Sequence, residues 1–395
     1  MRILQIIPSI SLVYGGPSQM VLGLSAALAS QGIDVTIITT DSNGDIGQLP
    51  LDVPLNQPIQ QNGYQIIYFR CSPFRRYKFS LSLLQWLNRN ARQFDLAHIH
   101  ALFSPVTTLA ATIARWHNLP YIIRPCGMLD PADLQKKRRL KQIYAALLER
   151  PNLAGAVGIH FTSKEEAKIS ERFGLDCIGK MSVSRDLVIP LGVVAGLFAK
   201  RLRESQVPII LFMSRIEPKK GLDLLIPALE SILESGIEFQ FILAGSNPQD
   251  ADYETGIKVK IQNSILGKYT IITGFVSGDR KNELLTNADL FVLPSYYENF
   301  GIAVAEAMAA GVPVAISDRI HIAEDIQKAE AGWVGPLEVG AIAHLIKSAL
   351  LDPDERQRRG LNGKEYAKKY YNWNAIAQQT IDAYQHILSS IVEKS

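Results

Sequence analysis

Two cations follow an apolar segment in the second half of the chain. Arg215 comes directly after the run 209–213, and Lys220 stands five residues further on. Together they could neutralise a pyrophosphate leaving group through Coulombic attraction and charge-assisted hydrogen bonds. A lysine at a helix start opposes the helix dipole unless an anion binds nearby. The spacing therefore indicates an anion site, and the alternative is a pair of ordinary surface cations.

Two glutamates flank the start of a later helical segment. Glu298 precedes the segment, and Glu306 lies inside its Ala-rich apolar stretch. A carboxylate in such a setting needs partners, and ribose hydroxyls are suitable donors to Glu306. Glu298 and the free amide groups of the helix start could hold sugar hydroxyls. The alternative is that Glu298 only complements the helix dipole and that Glu306 is exposed.

Two glycine-containing turns follow predicted strands. Gly15 and Gly16 precede Pro17, which suits the first helical position, so backbone amides there could approach a diphosphate. The pattern is not GxGxxG, which disfavours a nicotinamide dinucleotide site. The second turn comprises Gly274, Phe275 and Val276 and offers backbone groups for the edge of a base. Each turn alone is also consistent with an ordinary tight turn.

Two histidines alternate along one predicted strand. His98 and His100 lie on the same face of that strand, and His100 is nearest its end. We expect His98 to be a satisfied core residue and His100 to be the better placed for a ligand. With no third clustered ligand the pair makes a poor metal site, so no metal is expected.

The elements that must position these residues alternate between short apolar strands and helices. Such alternation predicts doubly wound parallel sheets of the α/β class. The pattern restarts after a polar stretch, which predicts two Rossmann-like domains and a C-terminal helix that crosses back onto the first. The expected divisions are 1–200, 201–371 and 372–395. Tyr366, Tyr370, Trp373 and Ile376 are expected on the apolar side of the helical tail.

Length and composition fit this organisation. The chain has 395 residues, of which 47% are hydrophobic and 20% charged, so two compact domains are expected. Its three cysteines show no metal-ligand spacing, and no apolar run is long enough to span a bilayer. These features predict a cytoplasmic protein, and the first residues are interpreted as a strand and not as a signal segment.

The net charge of +3 is unevenly distributed. Residues 1–200 carry 21 Lys and Arg against 13 Asp and Glu, and the remainder carries 20 against 25. Part of the basic excess lies in the helical stretch Lys136–Lys141, which could contact anionic lipid headgroups at the inner face of the plasma membrane or an anionic acceptor. The alternative is a solvated helix face. Basic residues are not interleaved with aromatics, so no nucleic-acid partner is expected.

Taken together, these residues resemble the retaining family 4 glycosyltransferases of GT-B fold, also called group 1 glycosyltransferases. The resemblance covers nearly the whole chain. Its most specific element is the E-x7-E arrangement of Glu298 and Glu306, combined with Arg215 and Lys220. The weaker elements are the Gly15-Gly16 turn, His100, and the turn at 274–276.

The resemblance implies a GT-B fold, in which two Rossmann-like domains face each other across a cleft. It implies that the C-terminal domain holds a nucleotide-sugar and that the N-terminal domain binds the acceptor. Arg215 and Lys220 would bind the donor diphosphate, Glu306 the ribose and Glu298 the transferred sugar. Backbone at Phe300 and Gly301, with flanking Asn299 and Ile302, would assist. His100 would lie near the sugar.

The resemblance also implies retention of anomeric configuration through front-face attack, without a metal or other cofactor. The usual Pro-Asn-Gly-Val-Asp interdomain motif is changed here to Pro190-Leu191-Gly192-Val193-Val194. The stretch 124–131 is similar to one in bacterial enzymes of exopolysaccharide or envelope glycan synthesis. It suggests a glycan or lipid-linked acceptor contacted by Arg124, Gly127 and Asp130.

Two other functions remain open at this stage. Another GT-B enzyme, such as a sugar-nucleotide epimerase or a phosphorylase, would use the same nucleotide cleft. A catalytically silent sugar-nucleotide-binding subunit of a polysaccharide-assembly complex would keep the binding residues and lack turnover.

Overall fold

The computed structural model describes residues 1–44, 48–72, 78–130, 138–170, 186–193 and 207–393. Contacts within the chain divide it into two units. Unit 1 comprises Met1–Gly192 together with Trp373–Ser395, and unit 2 comprises Val193–Asn372. The boundary expected at residue 200 falls in 194–206, which lies outside the described residues.

Unit 1 contains an eight-stranded sheet in the order β3-β4-β2-β1-β5-β6-β7-β8. The strands are β1 (Arg2–Ser9), β2 (Asp34–Thr40), β3 (Pro58–Gln61), β4 (Tyr64–Phe69), β5 (Leu96–His100), β6 (Tyr121–Arg124), β7 (Gly158–Phe161) and β8 (Asp186–Val188). All pairings are parallel except that of β3 with β4. The central strands are buried on both faces, which explains why most of their residues are apolar.

Helices connect these parallel strands, as crossovers require. They are α1 (Gly16–Ser30), α2 (Leu81–Asn90), α3 (Pro105–Trp116), α4 (Arg138–Tyr144), α5 (Arg150–Gly155) and α6 (Lys164–Ser170), with a π-helical segment Ala145–Glu149 between α4 and α5. The final helix α14 (Trp373–Val392) also belongs to unit 1. Gly23 of α1 and Gly192 leave room for the ring of Trp373, because a Cβ at either position would lie 2.3 Å from it.

Unit 2 contains a six-stranded sheet in the order β11-β10-β9-β12-β13-β14, with parallel pairings throughout. Its strands are β9 (Ile209–Met213), β10 (Gln240–Ala244), β11 (Thr270–Gly274), β12 (Leu290–Leu293), β13 (Val314–Ser317) and β14 (Gly332–Gly335). Its helices are α7 (Leu222–Glu234), α8 (Ala251–Gln262), α9 (Gly278–Asn287), α10 (Ile302–Ala309), α11 (Ala323–Lys328), α12 (Val339–Leu351) and α13 (Pro353–Tyr370). Sequential order reverses between β9 and β12, so ligands are expected beyond the carboxyl ends of these two strands.

The parallel α/β class expected from the sequence is confirmed, with three corrections. Strands β3 and β14 were not predicted, because β3 is a mostly polar edge strand and β14 contains two glycines. The predicted single helical tail is two helices, α13 and α14, which separate between Tyr370 and Trp373. Tyr370 is 40% exposed and so does not lie on a buried apolar side.

The basic stretch falls partly outside the described residues, which resume at Arg138. Its apolar side is not buried in the sheet packing, since Ile143 is 60% exposed and Leu147 is 69% exposed. Val194 of the altered interdomain motif also lies outside the described residues. Over the described ranges, no helix combines the length and hydrophobicity needed to cross a bilayer.

Candidate active site

The loop after β9 places three cations together. Arg215 leaves the strand end, and a short 3-10 turn, Pro218–Lys220, follows it. Arg215 Nη2 lies 3.1 Å from Glu217 Oε1, and Lys219 Nζ lies 3.6 Å from the same oxygen. Lys219 and Glu217 were not predicted from the sequence. The only indication of a role for them is that they lie in the same loop after β9.

Two glycines let neighbouring loops approach this turn closely. Gly221 has φ +72°, and a Cβ there would lie 1.9 Å from the carbonyl oxygen of Pro294. Gly245 has φ +145°, and a Cβ there would lie 1.8 Å from the carbonyl oxygen of Ser214. Only glycine fits either position without shifting the backbone. The loops after β9, β10 and β12 are thereby held against one another at one edge of the sheet.

The close approach at Gly221 brings Lys220 to Glu298. The Nζ atom of Lys220 donates a hydrogen bond to Glu298 Oε1, and Lys219 Nζ lies 3.8 Å from that oxygen. The side chains of Lys220 and Glu298 are only 8% and 14% exposed. Burial raises the pKa of Glu298, but Lys220, Lys219 and Arg215 outweigh it, so the pKa is lowered. Burial, against the attraction of Glu298, lowers the pKa of Lys220.

The backbone after Glu298 leads directly into α10. Glu298 is fixed by its amide, which donates to Arg319 O at 3.2 Å, and by its carbonyl, which accepts from His321 N at 3.1 Å. Gly301 has φ +76° and is the N-cap of α10, so Ile302 begins the helix. The first amide groups of a helix have no intrahelical acceptor and can bind hydroxyl or phosphate oxygens.

The neighbours of this turn differ in burial. Phe300 is buried and makes an edge contact with Tyr371 at 5.2 Å between ring centroids. Asn299 is partly buried in the same turn. Phe300 therefore anchors the loop, and its buried ring leaves only its backbone groups for a ligand.

Glu306 is not isolated. Its Oε1 accepts a hydrogen bond of 2.6 Å from Lys281 Nζ of α9, and the two side chains are 16% and 23% exposed. Lys281 was not predicted, although it stands five residues after the turn that ends at Val276. The pair shows that the carboxylate of Glu306 has the cationic partner that partial burial requires.

The predicted base-edge turn lies at the end of β11. Gly274 has φ +72° with no atom near a Cβ position, and its carbonyl accepts from Gly245 N at 2.8 Å. Phe275 is 65% exposed, and Val276 is partly buried. The exposed ring and the backbone of this turn are available to a planar ligand.

In unit 1, the glycine turn joins β1 to α1. Gly15 has φ +72° and ψ −130°, and a Cβ there would meet nothing within 4 Å. The preceding Tyr14 hydroxyl donates to Gly44 O at 3.0 Å and so fixes the turn against the loop after β2. Gly16 begins α1, whose first amide groups lie next to the turn.

The two strand histidines belong to a buried hydrogen-bonded group. His100 Nε2 lies 2.6 Å from Gln5 Oε1, whereas His98 Nδ1 lies 2.7 Å from the hydroxyl of Tyr384 on α14. His98 Nε2 lies 3.2 Å from His160 Nδ1, and His160 Nε2 lies 2.9 Å from Ile189 O. His98 is thus satisfied, as expected. His100 is fully buried, and its Nδ1 atom has no partner.

Arg124 ends β6 beside His100, with which it is in register. It is 3% exposed, and its Nε and Nη1 atoms have no hydrogen-bond partner among the described residues. Gly127 has φ +76° and donates its amide to Glu166 Oε1 at 3.1 Å. Asp130 is partly buried and donates its own amide to Gly127 O at 3.1 Å.

The predicted site residues therefore form two groups. Unit 2 brings Arg215, Lys220 and Glu298 together, with Glu306 on the helix that follows. Unit 1 places His100 next to Arg124. Within the described ranges, no three His, Cys, Asp or Glu side chains are arranged as metal ligands.

Comparison with known proteins identifies the family. Residues 196–366 match the family model described as "Glycosyl transferases group 1", and residues 15–177 match the "Glycosyl transferase 4-like domain". An uncharacterized glycosyltransferase of Methanocaldococcus jannaschii is 35% identical over 182 residues, which are 45% of this chain and 44% of that relative. The phosphatidyl-myo-inositol mannosyltransferase of Mycobacterium tuberculosis is 26% identical over 99% of this chain and 98% of its own length.

A solved structure shows the same architecture. Anabaena HepE in complex with UDP and glucose has a TM-score of 0.75 at 19% identity, covering 98% of this chain and 100% of that one. This likeness concerns the fold, which is GT-B. The two family models together span both units. The chain therefore belongs to the group 1 glycosyltransferases of family 4 type and is a GT-B enzyme.

Proposed function

We propose that the chain transfers a sugar from a nucleotide-sugar donor to a glycan or lipid-linked acceptor with retention of anomeric configuration. The observation that carries the proposal is the buried pair of Lys220 and Glu298, flanked by Lys219 and Arg215, beyond the ends of β9 and β12.

The charges of this cluster suit a diphosphate. Three cations, Arg215, Lys219 and Lys220, face the carboxylates of Glu217 and Glu298, which leaves an excess of positive charge. A diphosphate can take over Lys220 and so free Glu298 to accept hydrogen bonds from the hydroxyls of the transferred sugar. The binding of UDP and glucose by HepE supports this type of donor.

The same cluster supplies the positive charge that a metal provides in other sugar transfers. We infer that Arg215 and Lys220 stabilise the departing diphosphate directly and that the reaction needs no metal or other cofactor. Activity that persists in excess EDTA would agree, and loss of activity restored only by a divalent metal would contradict this inference.

Glu306 and the turn at 274–276 are proposed to hold the nucleoside. The carboxylate of Glu306 can accept hydrogen bonds from both vicinal ribose hydroxyls, while its hydrogen bond from Lys281 orients it. The exposed ring of Phe275 and the neighbouring backbone groups are proposed to contact the base.

The proposed reaction is a front-face displacement. The acceptor oxygen forms a bond to the anomeric carbon on the face from which the diphosphate leaves. The bond from that carbon to the phosphate oxygen breaks, and the proton of the acceptor hydroxyl passes to the departing phosphate. Glu298 is proposed to position the sugar through hydrogen bonds from its hydroxyls and not to act as a nucleophile. The Nδ1 atom of His100, which has no partner among the described residues, is proposed to accept a hydrogen bond from a sugar hydroxyl.

Unit 1 is proposed to bind the acceptor through the turn at Gly15 and Gly16 and through Arg124 and Asp130. The lipid acceptor named for the mycobacterial relative supports a lipid-linked or glycan acceptor, in exopolysaccharide or envelope glycan synthesis. The exposed apolar residues Ile143 and Leu147 beside the basic stretch support peripheral contact of a cytoplasmic enzyme with a membrane surface.

A screen of nucleotide-sugars by thermal shift tests the donor, because specific binding stabilises the folded state. The donor that binds is then incubated with lipid-linked and oligosaccharide acceptors, and the anomeric configuration of the product is read by NMR. Retention and loss of transfer in Lys220→Met are expected. An inverted product would refute the mechanism, and binding without transfer to any acceptor would favour a silent subunit.

A further inference from the structure

Arg124 is a buried cation without an anionic partner. Its side chain lies at the carboxyl end of β6, and its Nε and Nη1 atoms make no hydrogen bond. Among the described residues no carboxylate oxygen forms an ion pair with its guanidinium. A guanidinium does not lose its proton in proteins, so Arg124 cannot escape this cost by becoming neutral. The guanidinium interacts with the thiol of Cys126, a neutral group that does not compensate its charge. An uncompensated buried charge destabilises the folded state, and a bound anion would remove that cost.

The two buried carboxylates of the neighbouring loops are already used. Glu166 accepts hydrogen bonds from the amide of Gly127 and from the amide and hydroxyl of Thr162, at 2.7 to 3.1 Å. Glu149 accepts from Phe103 N and Thr108 Oγ1, each at 2.7 Å. Both acids hold loop backbone in place, and neither forms an ion pair with Arg124.

The adjacent histidines cannot supply a negative or a second positive charge. A peptide carbonyl only accepts, so His160 must carry its proton on Nε2 and accept at Nδ1 from His98. Gln5 Oε1 likewise only accepts, so His100 carries its proton on Nε2 and presents a lone pair at Nδ1. Burial, with the nearby Arg124, holds the pKa of His100 well below its usual range.

The loops around Arg124 also hold unfavourable backbone conformations. Ala101 and Phe103 follow β5 with φ of +80° and +52°, and Cys126 follows β6 with φ of +56°. Each is a residue with a side chain in the left-handed region, which costs about 1 kcal/mol or more. Such strain clusters at ligand-binding sites, where the surroundings impose it.

We propose that Arg124 recognises an anionic group, a carboxylate or a phosphate, on the acceptor sugar, and that His100 Nδ1 accepts a neighbouring hydroxyl of a bound sugar. This inference rests on the proposed function and narrows its acceptor to an acidic or phosphorylated glycan. The Nε and Nη1 atoms form one edge of the guanidinium fork, which matches two oxygens of either group. The lone pair of His100 can accept a hydrogen bond from a hydroxyl and repels an anion. Arg124 therefore contacts the anionic group, and His100 contacts a hydroxyl.

The test compares binding of glucuronate, glucose 6-phosphate and neutral methyl glucoside to the full chain by calorimetry. The variants are Arg124→Met, Arg124→Lys and, as a matched exposed arginine, Arg92→Gln. UDP is titrated against each variant in parallel, and Lys220→Met reports any anion bound at the donor site instead. Preference for glucuronate identifies a carboxylate ligand, and preference for glucose 6-phosphate identifies a phosphate.

We expect one of the two acidic sugars to bind at least tenfold more tightly than methyl glucoside. That preference should be lost in Arg124→Met, reduced in Arg124→Lys and unchanged in Arg92→Gln and Lys220→Met. Without ligand, Arg124→Met should melt at the same or a higher temperature than the parent, because it removes an unpaired buried charge. UDP affinity should be the same in the parent and in Arg124→Met.

Two results would overturn the inference while leaving the proposed function intact. One is intact UDP binding and sugar transfer with equal affinity for acidic and neutral sugars. The other is an Arg124→Met variant whose melting temperature is several degrees lower but which still prefers the acidic sugar. Arg124 would then stabilise the fold and not bind the sugar. Failure of the parent chain to bind any nucleotide-sugar in the thermal-shift screen would instead refute the proposed function.

Discussion

Removing one member of the Lys220 and Glu298 pair should harm unit 2 more than removing both. Breaking a buried ion pair costs about 3–5 kcal/mol, because the remaining charge stays uncompensated. Lys219 Nζ stays 3.8 Å from the Glu298 carboxylate, so Lys220→Met should cost about 2–3 kcal/mol of unfolding free energy. The double variant with Glu298→Gln should cost about 1 kcal/mol, since no charge is then left unpaired.

Activity should behave in the opposite way. Lys220→Met should reduce sugar transfer by about two to three orders of magnitude, as the loss of one preorganised charge does. The double variant should regain stability and remain inactive. This divergence separates a role in binding the diphosphate from a role in holding the loops together.

Urea denaturation followed by circular dichroism measures the costs, and hydrogen exchange of the β12 amides reports on unit 2 alone. The exposed pair of Lys328 and Glu324, at 2.7 Å, serves as the control cycle. Its coupling should be much smaller than that of the buried pair, because both side chains are exposed to solvent. Additive costs for Lys220→Met and Glu298→Gln, or recovery of activity in the double variant, would refute the reasoning.

Three further outcomes are expected. Glu306→Gln should weaken binding of UDP but should affect binding of 2′-deoxy-UDP much less, because the carboxylate is proposed to hold the ribose hydroxyls. Equal losses of affinity for the two nucleotides, measured by calorimetry, would contradict this role. Gly221→Ala should cost at least 3 kcal/mol in urea denaturation, since its Cβ would lie 1.9 Å from the Pro294 carbonyl, whereas Gly256→Ala, inside α8 with open space around it, should raise stability by up to about 1 kcal/mol. Unit 1 should lose stability as pH falls below about 6.5, because the histidines bind protons in the unfolded chain but remain neutral when buried in the folded one. Each histidine lowers the free energy of unfolding by up to about 1.4 kcal/mol per pH unit. Burial lowers the pKa of His160, for example, to about 3. A urea midpoint that is flat between pH 7 and 5 would contradict this account.

Much of the fold followed from local patterns. Strand β12 is fully buried and is a continuous apolar run, and the buried strand β5 alternates apolar residues with two histidines, so the sequence predicted both. Strand β3 was missed, because an edge strand with one partner carries little apolar signal.

The candidate site was partly predictable for a similar reason. Arg215 and Glu298 lie next to strand ends, where parallel sheets place ligands. Lys281 comes from a helix, and its contact with Glu306 depends on how α9 and α10 lie in space. Tyr384 contacts His98 across 286 residues of sequence, and no local pattern reports such a contact.

The return of α14 to unit 1 affects the order in which the protein can fold during synthesis. The described part of unit 2 is one continuous stretch, so its sheet can close once residue 372 has left the ribosome. Unit 1 begins before unit 2 but is completed after it, since Trp373 and Tyr384, which contact Gly23 and His98, are translated after residue 372. These surfaces of the N-terminal sheet therefore stay uncovered until α14 has been made, and hydrophobic surface exposed in this way is prone to aggregation.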